Sequence, residues 1–247
     1  MKTLIYILTA FIIFFISPDN FKNKQLKYSR VRTAYVEKET GMKKLLNDNS
    51  IRFENLTIYI RVFKQEKELE LWAKNVTDKS FKLIKTYDIC RTCGTLGPKR
   101  QMGDLQIPEG FYYIDAFNPT SSYYLSMRIN YPNKSDKILG VKTKLGGDIF
   151  IHGACVTIGC IPITDEQIKE LYIFCVEAKN NGQSNIPVTI YPANLTNKKF
   201  ITLIEKYATE KDKINLWTDL KTTYDNFIES KQLPNIEFLT NGRHEIK

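Results

Sequence analysis

Histidine is nearly missing from this chain of 247 residues, with only His152 and His244 present. A histidine-rich metal set is thereby excluded, and any imidazole base has few candidates. Internal repeats and low-complexity tracts are also absent, which removes repeat arrays from consideration. No apolar run reaches the ~20 residues that a membrane-spanning helix needs. The longest, Leu4–Ile16, follows Lys2 and has the length of a signal-peptide core. Nothing like A-x-A follows it, Ser17-Pro18 being only a loose substitute, so an uncleaved N-terminal membrane anchor is the alternative. No cysteine follows the run at once, which argues against a lipoprotein. In either case the body of the chain, from residue 18 onward, is expected to be exported to a periplasm or cell-envelope surface.

Cysteine is scarce and odd in number: Cys90, Cys93, Cys155, Cys160 and Cys175. Export would permit disulfides, yet five thiols leave at least one without an intramolecular partner. The net charge of +9 suits any polyanion, but the lysines are spread along the chain and no recognition motif accompanies them, so nucleic acid is not the expected partner. A basic surface beside an anionic wall polymer or membrane fits the same charge. Hydrophobic residues at 43% and aromatics at 12% make the composition that of a folded chain rather than a disordered one. The length allows one well-cored catalytic domain with accessory helices.

Periodicity divides the chain. Residues 18–50 read as a polar helical lead-in, broken or kinked at Gly41. From Ile51 the period becomes two. Leu56, Ile58, Ile60 and Val62 alternate with Thr57, Tyr59 and Arg61 as a half-buried strand. Leu69, Leu71 and Ala73 make a second strand, and Phe81, Leu83, Lys85 and Tyr87 a third; short turns between them argue for an antiparallel sheet. A Gly- and Pro-rich segment runs to Phe111, with strand candidates beyond it at Tyr123–Asn130, Asp148–His152 and Ile186–Tyr191. Thr164 with Gln167 forms a capping box that opens a helix to Asn181, and Gly182 stands at its exit. Residues 197–229 are helical in character with Trp217 and Tyr224 as packing anchors, and the tail NGRHEIK reads as frayed. The expected fold is mainly β (α+β), with helices at both ends.

The stretch GGDIFIHGACVTIGCIPITDEQ gathers His152, Cys155 and Cys160 around several glycines. Three chemistries compete there. Zinc could use Cys90 and Cys93 as a C-x-x-C pair with these three, although H-x-x-C-x-x-x-x-C matches no common finger or ribbon, and Ala154 stands where a zinc deaminase needs glutamate. Disulfides Cys90–Cys93 or Cys155–Cys160 would close small loops that return little chain entropy. Cys175 lies at an apolar helix position and reads as a core thiol. A nucleophilic thiol explains more. His152 ends a short apolar strand, and a tight loop can bring Cys160 back beside its imidazole. Gly159 lets the backbone approach a substrate, the N–H groups of Gly159 and Cys160 could line an oxyanion hole, and Thr157 adds a hydroxyl. A satisfied strand-end histidine leaves those glycines unexplained.

These residues carry a resemblance. IHGACVTIGCIPIT resembles the active-site segment of the L,D-transpeptidase (YkuD) catalytic domain, in its YafK-like branch. GTLGPKRQMGDLQIPEGFYYI, YLSMRINYPNKSD and NGQSNIPVTIYP are similar to further motifs of that family, in the family's order. The likeness covers roughly Ile51 to Leu195. It implies an L,D-transpeptidase-type β-sandwich or barrel-like core at residues 51–195, a C-terminal helical extension at 196–247, and no cofactor. It makes Cys160 the nucleophile, His152 its base, the Gly153 carbonyl the group that orients the imidazole, and Thr157 the counterpart of the motif serine. The implied substrate is a peptidoglycan stem peptide cut at an L,D bond, with the acyl group passed to an amine acceptor or to water. A cell-wall-attached protein is a further implied partner. Ile158 and Pro162 depart from the family's histidine and its Arg or Asn, so a substrate contact must come from elsewhere; Arg128 and Lys99, placed in family-like motifs, are the candidates, against the reading of both as solvated surface charges. Hydrolysis on the same site is the alternative activity, and a non-catalytic wall-binding or zinc-stabilised module the alternative of another class.

Overall fold

Alternation of apolar residues from Leu56 to Val62 does build a strand. In the computed structural model, which describes residues 20–247, it is β1 (Leu56–Phe63), paired antiparallel with β2 (Glu68–Asn75), which pairs antiparallel with β3 (Lys82–Asp88). The expected signal or anchor at residues 1–17 lies outside the described residues. Five more strands complete one sheet: β4 (Gly110–Asn118), β5 (Ser126–Ile129), β6 (Phe150–His152), β7 (Ile161–Pro162) and β8 (Ile186–Tyr191). The order is β3-β2-β1-β8-β4-β5-β6-β7. The sheet is curled, and its two edges approach: Cys90 N–H, just past β3, donates to the Pro162 carbonyl of β7 at 3.1 Å. The mainly β (α+β) expectation with helices at both ends holds.

One face of the sheet carries Ile58, Ile60 and Val62, Leu69 and Leu71, Ile114, Met127, Ile129, Ile151, Ile161 and Val188, all in a single core. Across it lies the helix α4 (Asp165–Asn180), opened by the expected capping box of Thr164 and Gln167. Leu171 through Ala178 are buried without a break, Cys175 among them, which marks a helix enclosed on most sides rather than an amphipathic surface helix. Over it packs α2 (Ser29–Asp48), preceded by the short α1 (Phe21–Leu26), with Val31, Tyr35, Met42 and Leu46 as its inward stripe.

The opposite face corrects the half-buried reading of β1. Tyr59, Arg61 and Phe63 are as buried as their neighbours, because α5 (Asn197–Lys206) and α6 (Lys211–Ser230) cover this end of the sheet. Phe227 of α6 packs edge-on against Tyr59 and Trp72. Arg61, only 1% exposed, has its guanidinium 4.8–5.8 Å from the rings of Phe63, Tyr224, Phe227, Tyr191 and Trp72, with Glu70 at 3.6 Å. Delocalised charge over ring faces makes an arginine tolerable inside.

Further differences have physical reasons. Helix α2 runs unbroken through Gly41, since the buried residues on either side outweigh the entropy a mid-helix glycine loses. In β3 the buried side chains are Ile84 and Tyr87, while Leu83 faces out, because a bulge at Leu71/Trp72 shifts the pairing. The tail is a hairpin, β9 (Ile236–Phe238) with β10 (His244–Ile246), not a frayed end. Asp219 of α6 holds it through the Arg243 guanidinium and the His244 backbone and ring nitrogens. A short helix, α3 (Lys134–Leu139), was not foreseen; Asn133 and Asp136 form its capping box.

Gly41 is exposed, helical, and has open space where a Cβ would go. Gly41→Ala is expected to raise stability by about 0.5–1 kcal/mol in chemical denaturation. An unchanged or lowered value would mean that the helix needs the glycine's freedom there.

Candidate active site

Residues paired across strands share a face of the sheet. Ser126 pairs with His152 and Arg128 with Phe150, while Ile151 pairs with Ile161 in the parallel β6–β7 contact, which sets Cys160 level with Phe150. Met127, Ile129, Ile151 and Ile161 point into the α4 core. His152, Arg128 and Cys160 therefore lie on the other face, at the end that α5 and α6 do not reach. Strand spacing and rise place the Cα atoms of His152 and Cys160 roughly 8 Å apart, one strand across and two residues along.

The chain returns from β6 to β7 within Gly153–Cys160, and special backbone results. Ala154 adopts φ +61° and Gly159 φ +143°. A Cβ on Gly159 would meet the Gln106 carbonyl at 3.1 Å; one on Gly153 would meet Asp165 Oδ1 at 2.5 Å and the Tyr123 carbonyl at 2.9 Å. Asp165, the first residue of α4, accepts from Ala154 N–H at 2.8 Å. Thr157 organises the rest: its hydroxyl donates to the Cys160 carbonyl at 2.8 Å and accepts from Gly159 N–H at 3.0 Å. Of the two anticipated oxyanion donors, Gly159 N–H is thus engaged, and Cys160 N–H has no intramolecular acceptor among the described residues.

The imidazole of His152 is 1% exposed. Its Nδ1 lies 2.5 Å from the Gly153 carbonyl, which can only accept, so Nδ1 carries the proton and Nε2 keeps its lone pair. Burial pushes the imidazole's pKa down, which the Gly153 hydrogen bond only partly opposes. Tyr123 lies over the ring at 4.7 Å between centroids, and is itself 46% exposed. Burial likewise pushes the Cys160 thiol up, with Cys93 and Asp148 adding to the rise while Phe150 N–H and, more weakly, Lys99 oppose it. The thiol accepts from Phe150 N–H at 3.4 Å and donates to the Asp148 carbonyl at 3.7 Å. No hydrogen bond joins it to His152 among the described residues. Both shifts favour a neutral resting pair, imidazole and thiol, over an ion pair.

Cys155 is bonded to Cys90, with Cα atoms 5.5 Å apart, rather than in either of the small loops considered from sequence. Closure of the sheet edges at Pro162 is what brings residues so distant in sequence together. Two of the sulfurs needed for a zinc set are therefore not thiolates. Cys93 remains free, 3.8 Å from the Thr157 hydroxyl. Lys99 is buried, with Asp104 at 2.6 Å and the Gln101 carbonyl at 3.0 Å, so it reaches Cys160 through its field rather than by contact. Arg128 stays partly exposed on the open face, held by both oxygens of Asp115. Asp165, Tyr123 and Asp148 escaped sequence reasoning; only Asp165 had a signal, as an acid in the first turn of a capped helix.

The family model described as L,D-transpeptidase catalytic domain (YkuD) matches residues 57–190. The chain is 36% identical over 191 residues to the Escherichia coli (strain K12) protein named "Putative L,D-transpeptidase YafK", covering 76% of this chain and 73% of that one. Among solved structures, the helical cell shape determining protein Pgp2 from Campylobacter jejuni shares 18% identity over 75% of this chain and 73% of its own, with TM-score 0.45. Bdellovibrio bacteriovorus Bd1075 shares 20% over 72% of this chain and 75% of its own, with TM-score 0.40.

A thiol raised above its ordinary range is protonated at neutral pH. Alkylation of Cys160, followed by peptide mapping, is expected to accelerate about tenfold per pH unit from 7 to 9 without a plateau. A plateau reached below pH 7 would mean that the resting state is a thiolate–imidazolium pair. Replacing Cys90 and Cys155 together by serine is expected to lower stability by about 2–4 kcal/mol, read by urea denaturation. A cost near zero would show that the sheet edges close without the bond.

Proposed function

Because this chain belongs to the L,D-transpeptidase catalytic domain family (YkuD), whose model spans residues 57–190, we propose that it is an exported cysteine acyltransferase acting on peptidoglycan stem peptides. The catalytic unit is residues 51–195, with the helical lead-in before it and the helical extension after it. One observation carries the mechanism: the Gly153 carbonyl holds Nδ1–H of His152, leaving Nε2 as a base on the same open face as Cys160.

The reaction starts from the neutral pair. Rotation about the Cα–Cβ bond of Cys160 takes the thiol from the Asp148 carbonyl toward Nε2. Substrate that displaces water from the cleft brings the two together. As sulfur attacks the carbonyl at the L,D bond, the thiol proton passes to Nε2. The C–S bond forms, and the Cys160 N–H faces the developing oxyanion. Collapse breaks the C–N bond, and the imidazolium returns its proton to the departing D-amino acid's amine. The thioester then passes its acyl group to an amine acceptor, Nε2 taking the acceptor's proton and giving it back to sulfur. Water in the acceptor's place would yield hydrolysis. An imidazole whose pKa is lowered by burial suits this cycle, because it is neutral and ready to accept at pH 7 and a strong donor once protonated.

The full-length chain and its Cys160→Ala variant, incubated with disaccharide-tetrapeptides, test the proposal by mass spectrometry of the products. Dimers joined with loss of the terminal D-residue are expected, with the rate reduced at least about a thousandfold in the variant. Tripeptides without dimers would assign hydrolysis instead. Products undiminished by Cys160→Ala would remove Cys160 from the mechanism.

A further inference from the structure

The peptide group between Gly153 and Ala154 is hydrogen-bonded at both of its ends. Its carbonyl holds Nδ1–H of His152 at 2.5 Å, and its N–H donates to the Asp165 carboxylate at 2.8 Å. The bond is trans, so the two groups point in opposite directions along the peptide dipole. Carboxylate, peptide and imidazole therefore stand in series. Each hydrogen bond in such a chain polarises the next, and a carboxylate on the N–H makes the carbonyl a stronger acceptor for the ring.

The local backbone is arranged around this series. Ala154 stands in the left-handed region at φ +61°, a conformation that is costly for a residue with a Cβ and persists only where its surroundings impose it. Gly153 has no room for a side chain, since a Cβ there would meet Asp165 Oδ1 at 2.5 Å. Asp165 is not needed to cap its own helix, because Thr164 and Gln167 close the capping box of α4. A loop tether, or an acid that suits the helix dipole, would account for the residue type. Neither makes use of the carbonyl at the far end of the same peptide. Neighbouring charges are engaged elsewhere: Lys169 is held by Glu37 and Glu166 at 2.6 Å each, and Lys38 by Glu166. From the other elements, Tyr123 ahead of β5 and Cys160 ahead of β7 are the titratable groups brought to the imidazole.

We propose that Asp165 is a positioning residue for His152: through the Gly153–Ala154 peptide its carboxylate fixes the ring with Nδ1 protonated and stabilises the imidazolium formed when the Cys160 proton reaches Nε2. The role in turnover rests on the acyltransferase reading; the effect on the ring does not. No proton crosses the peptide. Nδ1 keeps its own throughout, and the negative charge on Asp165 offsets the positive charge that develops on the imidazole.

The test is a pH titration of the imidazole nitrogens by NMR, in the full-length chain and in Asp165→Asn, which keeps an acceptor for Ala154 N–H and removes the charge. His152→Gln assigns the signals, and unchanged His244 signals report an intact fold. The His152 pKa is expected to fall by about 0.5–1 unit in Asp165→Asn, since a nearby anion favours the charged ring. The acid limb of kcat/KM for disaccharide-tetrapeptides moves to lower pH by the same amount, and kcat falls about three- to tenfold with KM within about twofold. Asp165→Ser, which also lacks the charge, is expected to shift the pKa in the same direction. Glu166→Gln removes a neighbouring charge that bonds Lys38 and Lys169 instead of the loop, and is expected to leave the His152 pKa within about 0.2 unit. A His152 pKa unchanged or raised in Asp165→Asn and Asp165→Ser, or lowered equally by Glu166→Gln, would overturn the proposal. A shifted pKa in a chain without turnover would leave the hold of Asp165 on the ring standing and remove the acyltransferase reading. Turnover with an unshifted pKa and pH profile would do the reverse.

Discussion

The packing of α4 into the concave face of the sheet is the interaction on which the rest depends. Nine of its residues are buried, and with them the inward side chains of all eight strands form one core. A sheet that must cover such a helix curls, and its edge strands approach until Cys90 meets Pro162 and bonds Cys155. That face is then complete. Chemistry needing solvent has to lie on the other one, and there the C-terminal helices cover the end made by β1, β2, β8 and the start of β4. The open remainder is where His152, Cys160 and Arg128 stand.

The same helix shapes the loop between β6 and β7 from its N-terminus. Parallel strands ordinarily need a long crossover, yet β6 returns to β7 through the short segment Gly153–Cys160. That return is held by left-handed backbone at Ala154, by the Asp165 carboxylate on Ala154 N–H and by the Thr157 hydroxyl at both ends of its turn. The benefit is an imidazole whose tautomer is set by a backbone carbonyl. Burial lowers the imidazole's pKa and raises the thiol's, both in the direction of the neutral pair.

The C-terminal helices are tied to this site through a buried network. Lys64, just past β1, donates to the carbonyls of Thr95, Gly97 and Ile107 and pairs with Glu109 at 2.8 Å. Glu109 also accepts from Gly97 N–H and from the Trp217 indole of α6, each at 2.7 Å. The Gly- and Pro-rich segment that carries Lys99 and touches Gly159 is thereby fixed by groups from both the sheet and the extension. A buried pair with all of its hydrogen bonds met rigidifies its surroundings, and loss of one partner would leave the other charge stranded.

Sequence alone determined the local features. Period-two alternation placed β1 and β2, the T-x-x-Q box placed the start of α4, and the run IHGACVTIGC placed the candidate base and nucleophile, because each of these depends on residues a few positions apart. It went wrong where long-range packing decides. The far face of β1 looked solvated until α6 covered it, Gly41 looked like a break until its neighbours were buried, and the tail looked loose until Asp219 held it. The Cys90–Cys155 pairing and the meeting of Asp115, Arg128 and Asp148 beside the thiol belong to tertiary structure, since they depend on how far the sheet curls and where a bulge turns a side chain. Local hydrogen bonding and hydrophobic period are written residue by residue; the distance between two edges of a sheet is set only when the whole sheet closes on its core.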